Sequence, residues 1–163
     1  MDEEFKVGIS FPHREIYCMD IYRIASKKEE PQNEMHEALL KFIDSTKDDW
    51  NYITPEQLHR RDMSRYYLLD VRKPDVFKKG HIKGAKNIFW MDVLKPENLK
   101  KLPKDKRIVI ICYVGHTASQ IMVALRLLGY KASTLKFGMG QSPAKGVPIA
   151  GWTDFGFETV KGK

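Results

Sequence analysis

The stretch "RIVIICYVGHTASQIMVALRLLGY", residues 107–130, constrains the fold more than any other. Every position from Ile108 to Cys112 is apolar. A run without alternation marks a strand covered on both faces, as in parallel sheets sandwiched by helices. The pattern then changes period. In "TASQIMVALRLLG" (117–129), Ile121, Val123, Ala124, Leu125, Leu127 and Leu128 cover a broad helical face, and Gly129 ends it. A buried strand feeding a helix implies a mainly parallel sheet, and sites in such sheets form at the carboxyl ends of strands. Cys112 occupies that place.

The surrounding sequence repeats the alternation of strand and helix. "WNYIT" reads as a strand, and Thr54, Pro55 and Gln57 then open a helix as N-cap, first-turn proline and capping-box partner. "YYLLDV" (66–71) is a short apolar strand. "KPDVFKKG" is a helical turn closed by Gly80, and "AKNIFW" (85–90) is the next strand. "MDVLKPENLKKL" is helical with a break at Pro96, and "KASTLK" is a further strand. The segment after Lys136 is rich in Gly and Pro and reads as loop ending in a short helix. Residues 1–49 differ and form an extension. Within it, residues 13–28 have mixed periodicity. Residues 34–46 place Met35, Leu39, Phe42 and Ile43 on one helical face, with Pro31 and Asn33 as start signals. That stripe would pack on the main domain, 50–163, or on another subunit.

The loop "CYVGHT" joins the buried strand to the helix. Gly115 relaxes its backbone, so its amides and those of the helix start can turn inward. Such a nest attracts negative charge and would favour the thiolate of Cys112 over the thiol. A thiolate is the nucleophilic form, and this chemistry needs neither metal nor organic cofactor. The only other cysteine, Cys18, lacks Cys-x-x-Cys spacing with Cys112, so a zinc or dithiol redox motif is excluded.

Three segments resemble the rhodanese domain family. "LLDVR" (68–72) resembles the family's Asp-x-Arg strand end, and "GHIKGAKNI" (80–88) its Gly-His-Ile signature. "CYVGHT" with "AS…ALRLLGY" resembles its active loop and following helix. The resemblance implies a three-layer α/β fold: a central, mainly parallel five-stranded sheet flanked by helices, here with an N-terminal helical extension. It implies a sulfurtransferase in which Cys112 accepts sulfur as a persulfide and passes it on. Tyr113, Val114, Gly115, His116, Thr117 and Ala118 would bind the substrate through loop amides, and Asp70 and Arg72 would support the loop. Related phosphatases and arsenate reductases carry Arg six residues after the cysteine, where a fork can hold an oxyanion. This chain has Ala118 there, which favours sulfur transfer. Many thiosulfate-active members also carry loop arginine. Here Tyr113 and Thr117 stand instead, with His116 and Lys136 as nearby sources of positive charge. Thiosulfate is therefore expected to be a poorer donor than a polysulfide or protein persulfide. An accessory sulfur carrier, or a binding module for a partner protein, is the alternative. His81 and Trp152 are expected to be structural, and Cys18 is a candidate resolving thiol.

The net charge of +7 favours anionic partners, and a small anionic sulfur donor fits it. The lysines are scattered and no nucleic-acid motif is present. No apolar run reaches the length of a membrane span, and "MDEEFKVGIS" lacks a signal-peptide pattern, so a cytoplasmic location is expected. A homodimer is compatible with the apolar helical stripe.

Overall fold

The computed structural model describes residues 9–11, 14–16, 33–47, 50–140 and 150–162. The chain divides into two compact units, residues 1–37 and 38–163. In the first, β1 (Ile9–Phe11) and β2 (Arg14–Ile16) pair antiparallel, Ile9 opposite Ile16. The rest of the unassigned 13–28 segment, Cys18 and Pro31 lie outside the described residues.

Helix α1 (Glu34–Asp44) begins where Asn33 accepts the His36 amide through its side chain, the expected start signal. Met35, Leu39 and Ile43 are exposed, and of the four stripe residues only Phe42 packs against the core of the second unit.

The second unit is built on five strands. They are β3 (Tyr52–Ile53), β4 (Tyr66–Asp70), β5 (Lys86–Asn87), β6 (Arg107–Ile111) and β7 (Ala132–Leu135). Their order is β3-β7-β6-β4-β5, and every neighbouring pair is parallel. The five-stranded α/β sheet is thus wholly parallel, and β6 lies at its centre. Alternation along β6 sends Ile108, Ile110 and Cys112 to one face and Val109 and Ile111 to the other. Ile108 and Ile110 pack with Ile121, Met122 and Leu125 of α5 (His116–Leu127). Val109 and Ile111 pack with Leu58 of α2 (Pro55–Arg60), Phe77 of α3 (Pro74–Lys79) and Trp152. Both faces are covered, which is why the strand reads as an unbroken apolar run.

Local signals act as the sequence implies at several ends. Thr54 and Gln57 form the reciprocal capping box, with 3.2 and 3.0 Å hydrogen bonds. After α5, Gly129 takes φ 81° while its amide bonds Arg126 and that of Tyr130 bonds Leu125, closing the helix. Pro96 opens α4 (Pro96–Leu99), separate from a 3-10 turn at Trp90–Asp92.

Two strands and the end of the described chain differ from expectation. β3 loses Trp50 and Asn51 to a left-handed turn, with φ 52° and 57°. β5 is cut to two residues because the chain enters the Trp90 turn. Gly80 closes α3 as expected, in extended backbone at φ 174°, and its carbonyl accepts from Arg72. The expected short helix at the end is absent among the described residues. Val160 instead forms an antiparallel bridge with His81.

Candidate active site

Cys112 is the first residue beyond β6, and its side chain is 2% exposed. Gly115, at φ 96° in the left-handed region, turns the loop back so that its amide donates to Cys112 Sγ at 3.1 Å. A sulfur this close to an N–H is an acceptor, the role a thiolate fills better than a thiol.

The orientation of the next peptides follows from their carbonyls. Cys112 O accepts from Met139 N at 2.9 Å, and Tyr113 O from Gly140 N at 3.0 Å. In a planar trans peptide the C=O and the following N–H point in opposite directions. The Tyr113 and Val114 amides therefore face away from the 139–140 segment. Among the described residues, no hydrogen bond engages the amides of Tyr113, Val114, His116, Thr117 or Ala118. Polar groups of this kind call for a partner. Here they cluster at the N-terminus of the twelve-residue α5, where the helix dipole adds to their pull on an anion.

A close-packed buttress holds this loop from behind. Gly138, at φ 53°, lies so near Cys112 that a Cβ would overlap the Cys112 carbonyl oxygen. Trp152 N donates to Gly138 O at 3.0 Å, and both the amide and the hydroxyl of Thr153 donate to Met139 O. Asp154 accepts from Gly151 N at 2.9 Å. Sequence reasoning did not assign these residues to the site. The signal was the Gly-x-Gly of "FGMG", read only as loop.

Asp70 and Arg72 come together, fully buried, at the carboxyl end of β4. Arg72 Nε and Nη2 grip the Asp70 carboxylate, the closest contact being 2.7 Å, and Nη2 also donates to Gly80 O at 2.8 Å. Asn87 Nδ2 binds the carbonyls of both Asp70 and Arg72. The guanidinium lies 5.9 Å from the Tyr113 ring. Its charge is committed to Asp70, and it stands within cation–π distance of Tyr113.

Of the remaining residues, Tyr113, Val114 and Thr117 are half-buried, Gly115 and Ala118 are buried, and His116 is exposed. The Ala118 methyl sits in the α5-side core, so no side chain from that position reaches into the loop. Lys136 is exposed, with Nζ 5.4 Å from the Phe137 ring. His81 is buried, stacked on Phe77 at 3.7 Å and bonded through Nδ1 to Phe77 O, a structural role. Trp152 is buried in the opposite core and donates its indole N–H to Glu158 O. A groove of 520 Å³ lies at the β5 edge, lined in part by Tyr67, Lys86, Phe89 and Lys101, and includes none of the loop.

A parallel α/β domain with a cysteine in an amide-rich loop at its central strand is the class that fold and site define. The model of the rhodanese-like domain matches residues 54–141, more than half of the chain, and the chain belongs to that family. Thiosulfate sulfurtransferase GlpE of Stutzerimonas stutzeri is 27% identical over 82 residues, 50% of this chain and 73% of that protein. YtwF of Bacillus subtilis, provisionally named a sulfurtransferase, is 34% identical over 73 residues, 45% of this chain and 69% of its own. The crystal structure of a rhodanese-related protein from Thermoplasma volcanium superposes with a TM-score of 0.56 at 26% identity. It covers 67% of this chain and 96% of that one. No helix among the described residues is long and apolar enough to cross a membrane.

Proposed function

We propose that the protein moves sulfane sulfur through a persulfide on Cys112. One observation carries this reading. Cys112 Sγ already accepts the Gly115 amide, and five more loop and helix-start amides beside it have no partner among the described residues. An anion formed on that sulfur would find its donors in place, without reorganisation.

The Cys112 thiolate attacks the outer sulfur of the donor. With thiosulfate, the new S–S bond to Cys112 forms as the old one breaks, and sulfite leaves with the electron pair. The persulfide anion rests on the amides of Tyr113 to Ala118. A second nucleophile then takes the outer sulfur and returns Cys112 as thiolate, a two-step relay with ping-pong kinetics. Thiosulfate, polysulfide and a protein persulfide all fit this scheme. The loop from Cys112 to Ala118 carries no lysine or arginine, so a small dianion meets no fixed cation within it, and thiosulfate should be the slowest of the three.

The test is mass spectrometry after incubation with inorganic polysulfide. A one-sulfur adduct, about 32 Da by the atomic mass of sulfur and labile to cyanide, is expected on the peptide carrying Cys112 and absent in Cys112→Ser. An adduct that persists unchanged in the variant would sink the reading.

A further inference from the structure

Exposed apolar side chains stand on either side of β6 at the carboxyl edge of the sheet, one pair tied to the end of β4 and one residue following β7. On the β4 side, Trp90 N donates to Val71 O, which anchors the Trp90–Asp92 turn over that strand's carboxyl end. Trp90 is 38% exposed and Met91 63%, and the turn packs against α5. On the β7 side, Phe137 is 42% exposed, and its backbone lies directly behind Gly115. Half-buried Tyr113 and Val114 lie between them. The same three strand ends each carry an exposed basic residue, Lys73 after β4, His116 after β6 and Lys136 after β7. The loop from Cys112 to Ala118 contains no carboxylate.

An inorganic dianion gains nothing from an apolar rim, whereas large exposed apolar groups around a reactive centre mark a protein-binding face. Resting on the sulfur-relay reading, we infer that Trp90, Met91, Val114 and Phe137 dock a protein whose acceptor thiol has apolar neighbours. Lys73, His116 and Lys136 select a partner with acidic residues flanking that thiol. Charge complementarity sets the choice of partner: Lys73 and Lys136 are exposed at the ends of the strands flanking β6, while Asp92 of the Trp90 turn is engaged by Lys95. In the transfer, the partner's thiolate attacks the outer sulfur of the Cys112 persulfide, Cys112–S–SH. The new S–S bond forms, the bond to Cys112 breaks, and the electron pair leaves on Cys112. The partner departs as a persulfide carrying the proton of the outer sulfur, and no external oxidant or reductant is consumed.

Three probes test this on the full chain loaded with polysulfide: cyanide, and two synthetic peptides. One peptide has cysteine flanked by Leu and Phe and then by Glu; the other has the same apolar neighbours flanked by Lys. In the parent, the acidic peptide should discharge Cys112 at least about ten-fold faster than the basic one, a difference of ~1.4 kcal/mol. In Met91→Glu, and separately in Phe137→Glu, the ratio of acidic-peptide to cyanide discharge should fall by about ten-fold or more. Equal rates for the two peptides, or a ratio unchanged in both variants, would overturn the docking face while leaving the relay standing. A chain that polysulfide does not load on Cys112, or cyanide does not discharge, removes the relay itself and the inference with it.

Discussion

Gly138 sets the site through what it lacks. Its φ of 53° and the Cys112 carbonyl against its Cα leave no room for a methyl group. Gly138→Ala must push Cys112 and Tyr113 forward or rotate their peptides, and either move takes the loop amides off the sulfur. We expect sulfur loading of Cys112 from polysulfide to slow by at least about ten-fold, with a loss of stability of ~1 kcal/mol or more. Slowed loading together with a lowered urea midpoint would agree. An unchanged loading rate in a folded variant would contradict the buttress. The Asp70–Arg72 pair acts differently. Asp70→Ala leaves a fully buried guanidinium without its carboxylate, a loss expected to cost about 3–5 kcal/mol. Urea unfolding followed by fluorescence reads this directly, and a loss under ~1 kcal/mol would mean that water or Gly80 suffices for Arg72.

At the level of elements, β4 offers a pH reading. Burial raises the pKa of the Tyr67 phenol above its ordinary 10.0. The folded state therefore holds the proton after the unfolded chain has released it. The contribution is complete below about pH 10 and is lost as pH climbs above it through the raised value. Urea midpoints between pH 9 and 11 should fall more steeply in the parent than in Tyr67→Phe, and identical slopes would refute this. The elements also show what sequence makes legible. Thr54, Gln57, Asn33 and Gly129 act locally, so a few neighbouring residues specify their ends. The unbroken run of β6 announced a doubly covered strand, and with it the place of Cys112. Strands at the margin are shorter than their sequence suggests, because Trp50 and Asn51 sit at positive φ and Trp90 opens a 3-10 turn tied to Val71 O. Gly138, Met139 and Thr153 escaped notice for the same reason. Their role is to grip backbone far away in sequence, and no periodicity records that. The exposed stripe of α1 followed the helical period correctly, but period alone does not say which face meets the core.

For the molecule between residues 38 and 163, the consequence of a sheet covered on both sides is cooperativity. Cys112 belongs to the core on the α5 face, and Trp152 belongs to the core on the other. The two cores share β6, whose residues alternate between them, so neither can be lost while the other keeps its strand. Trp50 and Trp90 are exposed, so the change in indole emission on unfolding comes mainly from Trp152. Hydrogen exchange of the α5 peptide, read by mass spectrometry, reports the opposite face. Across a urea series the two transitions should coincide, as they do for small domains with one cooperative unit. Leu125→Ala, in the α5-side core, should destabilise by about 2–5 kcal/mol and move both midpoints together. Leu135→Ala, in the other core, should do the same. If Leu125→Ala opened α5 to hydrogen exchange at urea concentrations where Trp152 emission stayed native, the faces would open separately, and the loop at the end of β6 would be held by one core alone.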